Sequence, residues 1–393
     1  MAKKERFQAV QSLRFICFMM VFVAHSTIEI SFTGVWALEI FFMLSGFMMV
    51  YSYADRDLPS TPWGCVKFGY KRTGKLYPLH VETALLQLCM IVPAIMSYMR
   101  LVGVDYTLGQ TLGHYALPLA ANLALVQDWV PDIQNYVFSF NGPSWFLSAM
   151  VFSYALFPWI MRALKKLKTT GNVVFTCLVL ALAAGLVTWR VGVYTGYTGD
   201  LFVWTTQHCP AMRCIDFFMG CALGWLFLEH RRKQAMLPEE EKPKVSVVKW
   251  TILEVLAIGL VVLQERYLLL LGTDDFCQVL YWCRQFIPVL LTGPILMVFV
   301  LNRGYITKAL CWKPLVYLGN ISMYMYLIHY IFTNAWAMKE TAEGWANELS
   351  VGGQWGIAAL QLALTILCSI GYDKLQKYKA RRKQEKLAAK VSA

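Results

Sequence analysis

The chain has 393 residues, 58% hydrophobic and only 15% charged, with a mean hydropathy of +0.48. A soluble domain carries roughly a quarter charged residues, so the composition excludes a soluble enzyme and points to a bundle of membrane helices. The net charge is +12, and nearly all Lys and Arg lie in short segments between apolar runs or in the tails, the positive-inside pattern. No separate basic domain is present to bind nucleic acid.

A spanning helix needs about 20 mostly apolar residues. In chain order the candidates are 12–30, 34–54, 78–99, 143–161, 172–190, 210–229, 247–270, 282–301, 313–335 and 354–373. The first run follows Lys3, Lys4 and Arg6 and leads straight to a second, so it is expected to be a span and not a cleaved signal. A further apolar stretch, 111–127, contains His114, Pro118 and Asn122. If that stretch does not cross, one side of the membrane holds 29 of the 36 basic residues. If it crosses, the Arg162, Lys165, Lys166 and Lys168 cluster and every later loop invert. Orientation follows the Lys/Arg bias. The expected fold is therefore all-α: a polytopic bundle of about ten transmembrane helices, with a re-entrant or interfacial helix at 111–127. Residues 1–373 form the membrane domain and 374–393 a basic cytoplasmic tail, with both termini cytoplasmic in a cell-membrane protein. Most of the cysteines lie inside apolar runs without metal-ligand spacing, and no metal site is expected. No internal repeat is evident, which argues against a secondary transporter.

Ionisable side chains inside a bilayer are costly and point to function. Arg14 and His25 lie eleven residues apart on the first span, about 16 Å and three turns, so they share one face. Glu39, on the second span, is expected at the depth of His25. A carboxylate beside an imidazole fixes its tautomer and raises its basicity, which would make His25 a general base for a hydroxyl. Arg213 and Asp216, three apart, are expected to form a buried pair. The Ser45–Gly46 pair is expected to permit close helix packing.

These residues lie in segments that resemble the acyltransferase 3 family. SLRFICFMMVFVAHS carries a basic residue, ten intervening residues and a histidine, Arg14 and His25. GVWALEIFFMLSGFMMVY is similar to the next family block through Glu39, Phe41, Phe42, Ser45 and Gly46. KFGYKRTGKLYPLH resembles the basic entry to the third helix, and NGPSWFLSAMVFSYALFP the block around Trp145. YLGNISMYMYLIHYIF matches the late block through Gly319, Ser322, Tyr326 and His329. One departure is that Ala149 and Met150 stand where many members have an acidic residue.

The resemblance implies a membrane-bound O-acyltransferase, acetyl being the usual group, that moves an acyl group from cytoplasmic acyl-CoA to a hydroxyl of an envelope or extracellular carbohydrate. It implies no bound cofactor, with acyl-CoA as co-substrate, and a single membrane domain without an appended esterase-like domain. It implies His25, Glu39 and Arg14 as the catalytic set. Lys71, Arg72 and Lys75 would grip the CoA phosphates. Asn141, Trp145 and His329 would face the acceptor. The expected partners are acyl-CoA, the hydroxyl acceptor, the lipid bilayer and glycan-assembly proteins. The competing readings are a polysaccharide-precursor transporter or flippase, and a sensor membrane domain without catalysis.

Overall fold

The computed structural model describes residues 7–28, 35–104, 107–241, 245–271, 281–343 and 350–391. Helices succeed one another as α1 (Gln8–His25), α2 (Val35–Tyr53), α3 (Pro62–Thr73), α4 (Tyr77–Leu101), α5 (Leu108–Leu123), α6 (Trp145–Lys166) and α7 (Thr170–Thr195). There follow α8 (Gly199–Val203), α9 (Pro210–Ala235), α10 (Val247–Leu271), α11 (Tyr281–Leu301), α12 (Tyr305–Leu310), α13 (Lys313–Glu343) and α14 (Val351–Val391). No strand occurs among the described residues. Nine stretches among them are long and apolar enough to cross a membrane: those of α1, α2, α4, α6, α7, α8–α9, α10, α13 and α14. The 21-residue α11 stands where the remaining expected span falls.

Side-chain contacts give the helix directions. α1 and α13 run parallel, with Gly319 against the Gln11 backbone near one end and the His25 and His329 rings adjacent further along. α4 runs the same way, since Asn141 joins Thr83 to Leu327 and Asn334 joins Gln87. α2 runs against α1, Phe7 packing on Phe47 and Tyr51. α6 is parallel to α2, through Phe42–Phe146 and Tyr53–Phe157. The connection from α4 to α6 therefore leaves and re-enters the bundle at the same end, as the charge argument required.

α5 runs back along α4. The hydroxyls of Tyr70 and Tyr77 donate to the carbonyls of Ala124 and Leu123, and the His80 ring bonds that of Asn122. Residues 124–144 then return to the start of α6 in short turns. This is the re-entrant alternative, not the interfacial one. α14 opposes α13, with Thr27 against Gln354 and Tyr317 against Asp373, so the chain returns to the end from which α1 starts.

One helix adds to the sequence expectation. The basic 55–77 connection contains α3, started by Pro62 and capped by Thr61, whose Oγ1 accepts from the Gly64 N–H at 3.2 Å. A 12-residue helix carrying Lys67, Lys71 and Arg72 is too short and too charged to show as a span, yet it packs along α6. The basic residues after 373 continue α14, which runs unbroken for 41 residues.

Lipid-facing helices show their character in exposure. Phe175, Leu182 and Leu186 on α7 and Val262 and Leu263 on α10 are exposed, which is tolerated in hydrocarbon and not in water. The core lies among α1, α2, α6, α9 and α13. Gly46 lets α2 approach α9 so closely that a Cβ there would overlap the Phe217 carbonyl, in keeping with the packing role expected of the Ser45–Gly46 pair.

Candidate active site

α1 and α13 build the centre of the site. The late motif residues Gly319, Ser322, Tyr326 and His329 recur at helical spacing along one face of α13. Gly319 abuts the Gln11 backbone of α1, where any Cβ would overlap the carbonyl group. Ser322 and Tyr326 are buried. His329, fully buried, meets Phe18 and Phe22 edge-on and lies 5.4 Å from the His25 ring. His25 ends α1 and keeps an exposed face. The Tyr330 ring lies 5.7 Å from it.

The hydrogen bonds fix both tautomers. His25 Nδ1 lies 2.8 Å from the Val21 carbonyl and His329 Nδ1 3.2 Å from that of Met325. A carbonyl only accepts, so each Nδ1 carries the proton and each Nε2 presents a lone pair. His329 Nε2 is buried and has no hydrogen-bond partner among the described residues.

The expected contact between His25 and Glu39 is not what the structure shows. Glu39 Oε2 accepts from Thr292 Oγ1 on α11 at 2.7 Å, and no hydrogen bond or ion pair joins Glu39 to His25 among the described residues. Equal depth on neighbouring helices does not set azimuth: the close α1–α13 contact turns His25 toward α13, while α2 turns Glu39 toward α11. The work expected of the carboxylate, holding the imidazole tautomer, falls to the Val21 carbonyl.

A basic group lies nearer the chain termini. Lys71 and Arg72 end α3, with Lys75 in the following turn, and all three are exposed. Arg72 donates to the Tyr53 hydroxyl at 3.2 Å and lies over its ring. Arg14 is bonded to Gln11 at 3.5 Å.

Asn141 and Trp145 are buried. The Asn141 amide donates to Thr83 Oγ1 and to the Leu327 carbonyl, both at 2.8 Å, tying α4 to α13 one turn from His329. Trp145 packs on Phe42 and, at 4.6 Å, edge-on to His208. Both shape the site from within the protein. Arg213 and Asp216 pair at 2.9 Å, as expected.

Three groups escaped the sequence reading. Tyr330 adjoins the His25 ring and follows a residue that was singled out. Asp128 and His208 are buried, and neither carboxyl oxygen of the first nor ring nitrogen of the second has a hydrogen-bond partner among the described residues. Burial lifts the Asp128 carboxyl well above the usual carboxylate range, and Arg213 only partly offsets this. The available signal was an acidic residue, Asp128, immediately after an apolar stretch read as re-entrant.

Comparison with known proteins gives the family. A segment 29% identical over 176 residues is shared with "Acyltransferase MdmB" of Streptomyces mycarofaciens, covering 41% of each chain. The chain thus spans less than half the length of that curated relative. No solved structure matches. The family model for the acyltransferase domain of the acyltransferase 3 family matches residues 7–373. It takes in all ten expected spans, and the chain is a multi-pass membrane member of that acyltransferase family.

Proposed function

We propose that the protein is an O-acyltransferase of the cell membrane, with acetyl-CoA as donor on the cytoplasmic side and a carbohydrate hydroxyl as acceptor. The observation that carries this reading is the His25–His329 pair: two imidazoles 5.4 Å apart, each held by its own helix in the tautomer that leaves Nε2 basic. In the transfer step His25 Nε2 takes the acceptor's hydroxyl proton as the oxygen attacks the thioester carbonyl. The new C–O bond forms, the C–S bond breaks, and the proton passes from His25 to the departing thiolate. His329 Nε2 is an acceptor, so it suits a neighbouring hydroxyl of the acceptor and not the thioester oxygen, which needs a donor.

Arg14 is about 16 Å along α1 from His25, too far to act on the same atoms. With Arg72, Lys71 and Lys75 it would hold the CoA phosphates on the cytoplasmic side, the pantetheine arm covering the remaining distance. Glu39 would support the site by tying α2 to α11. Asn141 and Trp145, both buried, would brace the acceptor side from behind.

Acyl-CoA-dependent labelling of envelope glycans tests the proposal. The His25→Ala variant should lose transfer by about 10²-fold or more, the scale of a general base, at unchanged membrane levels. Undiminished labelling in that variant would remove the base, and flux of an unmodified lipid-linked sugar without acylation would favour the transporter.

A further inference from the structure

Beside the histidine pair, α4, α5, the 133–140 segment and α13 enclose a cavity of about 280 Å³. Tyr330 belongs to both: its ring lies 5.7 Å from that of His25 and forms part of the cavity wall. The cavity and the proposed base thus share Tyr330, although neither His25 nor His329 is itself part of the wall. The wall is aromatic through Tyr98, Tyr115, Phe138 and Tyr330, and its polar groups include the side-chain amides of Gln134 and Asn334. Among the described residues, none that lines it carries a charge.

We infer that this cavity is the acceptor site and that it takes an uncharged, hydroxyl-bearing acceptor with an apolar face, such as a neutral glycoside, in place of one bearing phosphate or carboxylate. The inference rests on the acyl-transfer reading and narrows its acceptor class. Its physical basis is desolvation. An anion entering a cavity without a cation gives up its hydration and recovers no ion pair. Neutral hydroxyls lose far less, and amides that both donate and accept replace their water contacts. Aromatic walls reward a flat apolar face. The basic residues proposed to hold the donor's phosphates, Arg72, Lys71 and Lys75, lie instead at the end of α3 and in the turn after it, Arg72 against Tyr53.

The test uses the full chain in lipid nanodiscs with acetyl-CoA and two probes, octyl β-glucuronide and its methyl ester. These share the same free hydroxyls and differ in charge. The ester should be acetylated with a kcat/KM at least about tenfold higher, the least expected of one buried, uncompensated charge. Ala94→Arg, which places a cation on the cavity wall, should shift the ratio toward the glucuronide. Equal rates, a preference for the glucuronide in the unaltered protein, or no transfer to either probe overturns the inference. Hydrolysis of acetyl-CoA without acceptor, compared with His25→Ala, is followed in parallel. If His25-dependent hydrolysis persists, only the cavity assignment fails. If neither hydrolysis nor acyl-CoA-dependent labelling of envelope glycans occurs, the acyl-transfer reading fails.

Discussion

Replacing Gly319 with alanine should disable the protein through one helix contact. Gly319 faces the backbone of Gln11, and a methyl group there would overlap the carbonyl group itself, not the flexible end of a side chain. Relief requires α1 to move from α13 by on the order of 1 Å, a displacement that alone can cost about 10² in rate when it misplaces a catalytic group. Overpacking adds a stability loss of about 1–3 kcal/mol. Arg14 and His25 both ride on α1, so the shift alters both ends of the proposed reaction path, and the 5.4 Å separation of the His25 and His329 rings should widen. Gly371 supplies the control: it lies in α14, and a Cβ there meets nothing within 4 Å. Gly371→Ala should be neutral or stabilising by up to about 1 kcal/mol, as expected for alanine over glycine in a helix. Each variant would be assayed for transfer and for thermal unfolding in nanodiscs. If Gly319→Ala matches Gly371→Ala in both, the contact does not set the site.

Three other outcomes follow from the geometry. Arg72→Ala should raise KM for acyl-CoA by roughly tenfold with little change in kcat, and because Arg72 is exposed the wild-type KM itself should rise with salt; an unchanged KM refutes the phosphate grip. Arg213→Ala strands Asp216 in a buried pair whose side chains are 4% and 2% exposed and should cost about 3–5 kcal/mol, whereas the Arg213→Leu/Asp216→Leu double variant should unfold nearer the wild-type temperature. The folded Asp128 carboxyl titrates above its unfolded value, so its contribution favours folding below the unfolded value and is lost as pH rises toward the folded one. Asp128→Asn removes that dependence and should gain in thermal stability over the wild type as pH is raised, a gain that a pH-independent difference between the two melting curves would contradict.

Much of the bundle was legible because its two strongest signals are one-dimensional. Apolar length marks a span, and the Lys/Arg bias decides whether 111–127 crosses; the observed directions of α4 and α6 agree with that decision. α3 was hidden because Lys67, Lys71 and Arg72 make a packed helix look like a charged loop. The pairing of His25 with Glu39 failed for a different reason. Depth along a helix can be counted in residues, but azimuth depends on which neighbour comes closest, and that was set by Gly319 at the far end of the contact. The same glycine was visible in the late motif, spaced ten residues before His329. Read as a contact point and not as a mark of resemblance, it would have paired α1 with α13 and His25 with His329.

The histidine pair is hard to explain as packing alone. His329 sits among Phe18, Phe22 and Tyr326, where phenylalanine would fill the space without a polar atom. An unsatisfied ring nitrogen in such surroundings costs on the order of 1–3 kcal/mol, and the single bond to Met325 satisfies only Nδ1. That bond nevertheless has a chemical consequence, since it forces the lone pair of Nε2 away from the helix that carries it. His25 repeats the arrangement with Val21. Two helices have thus each spent a backbone carbonyl, already engaged in helix pairing, to present a basic nitrogen beside the same aromatic cavity wall at Tyr330. A structural histidine needs its nitrogens satisfied; a base needs one left open, and both rings at this contact are held in the form that leaves it open.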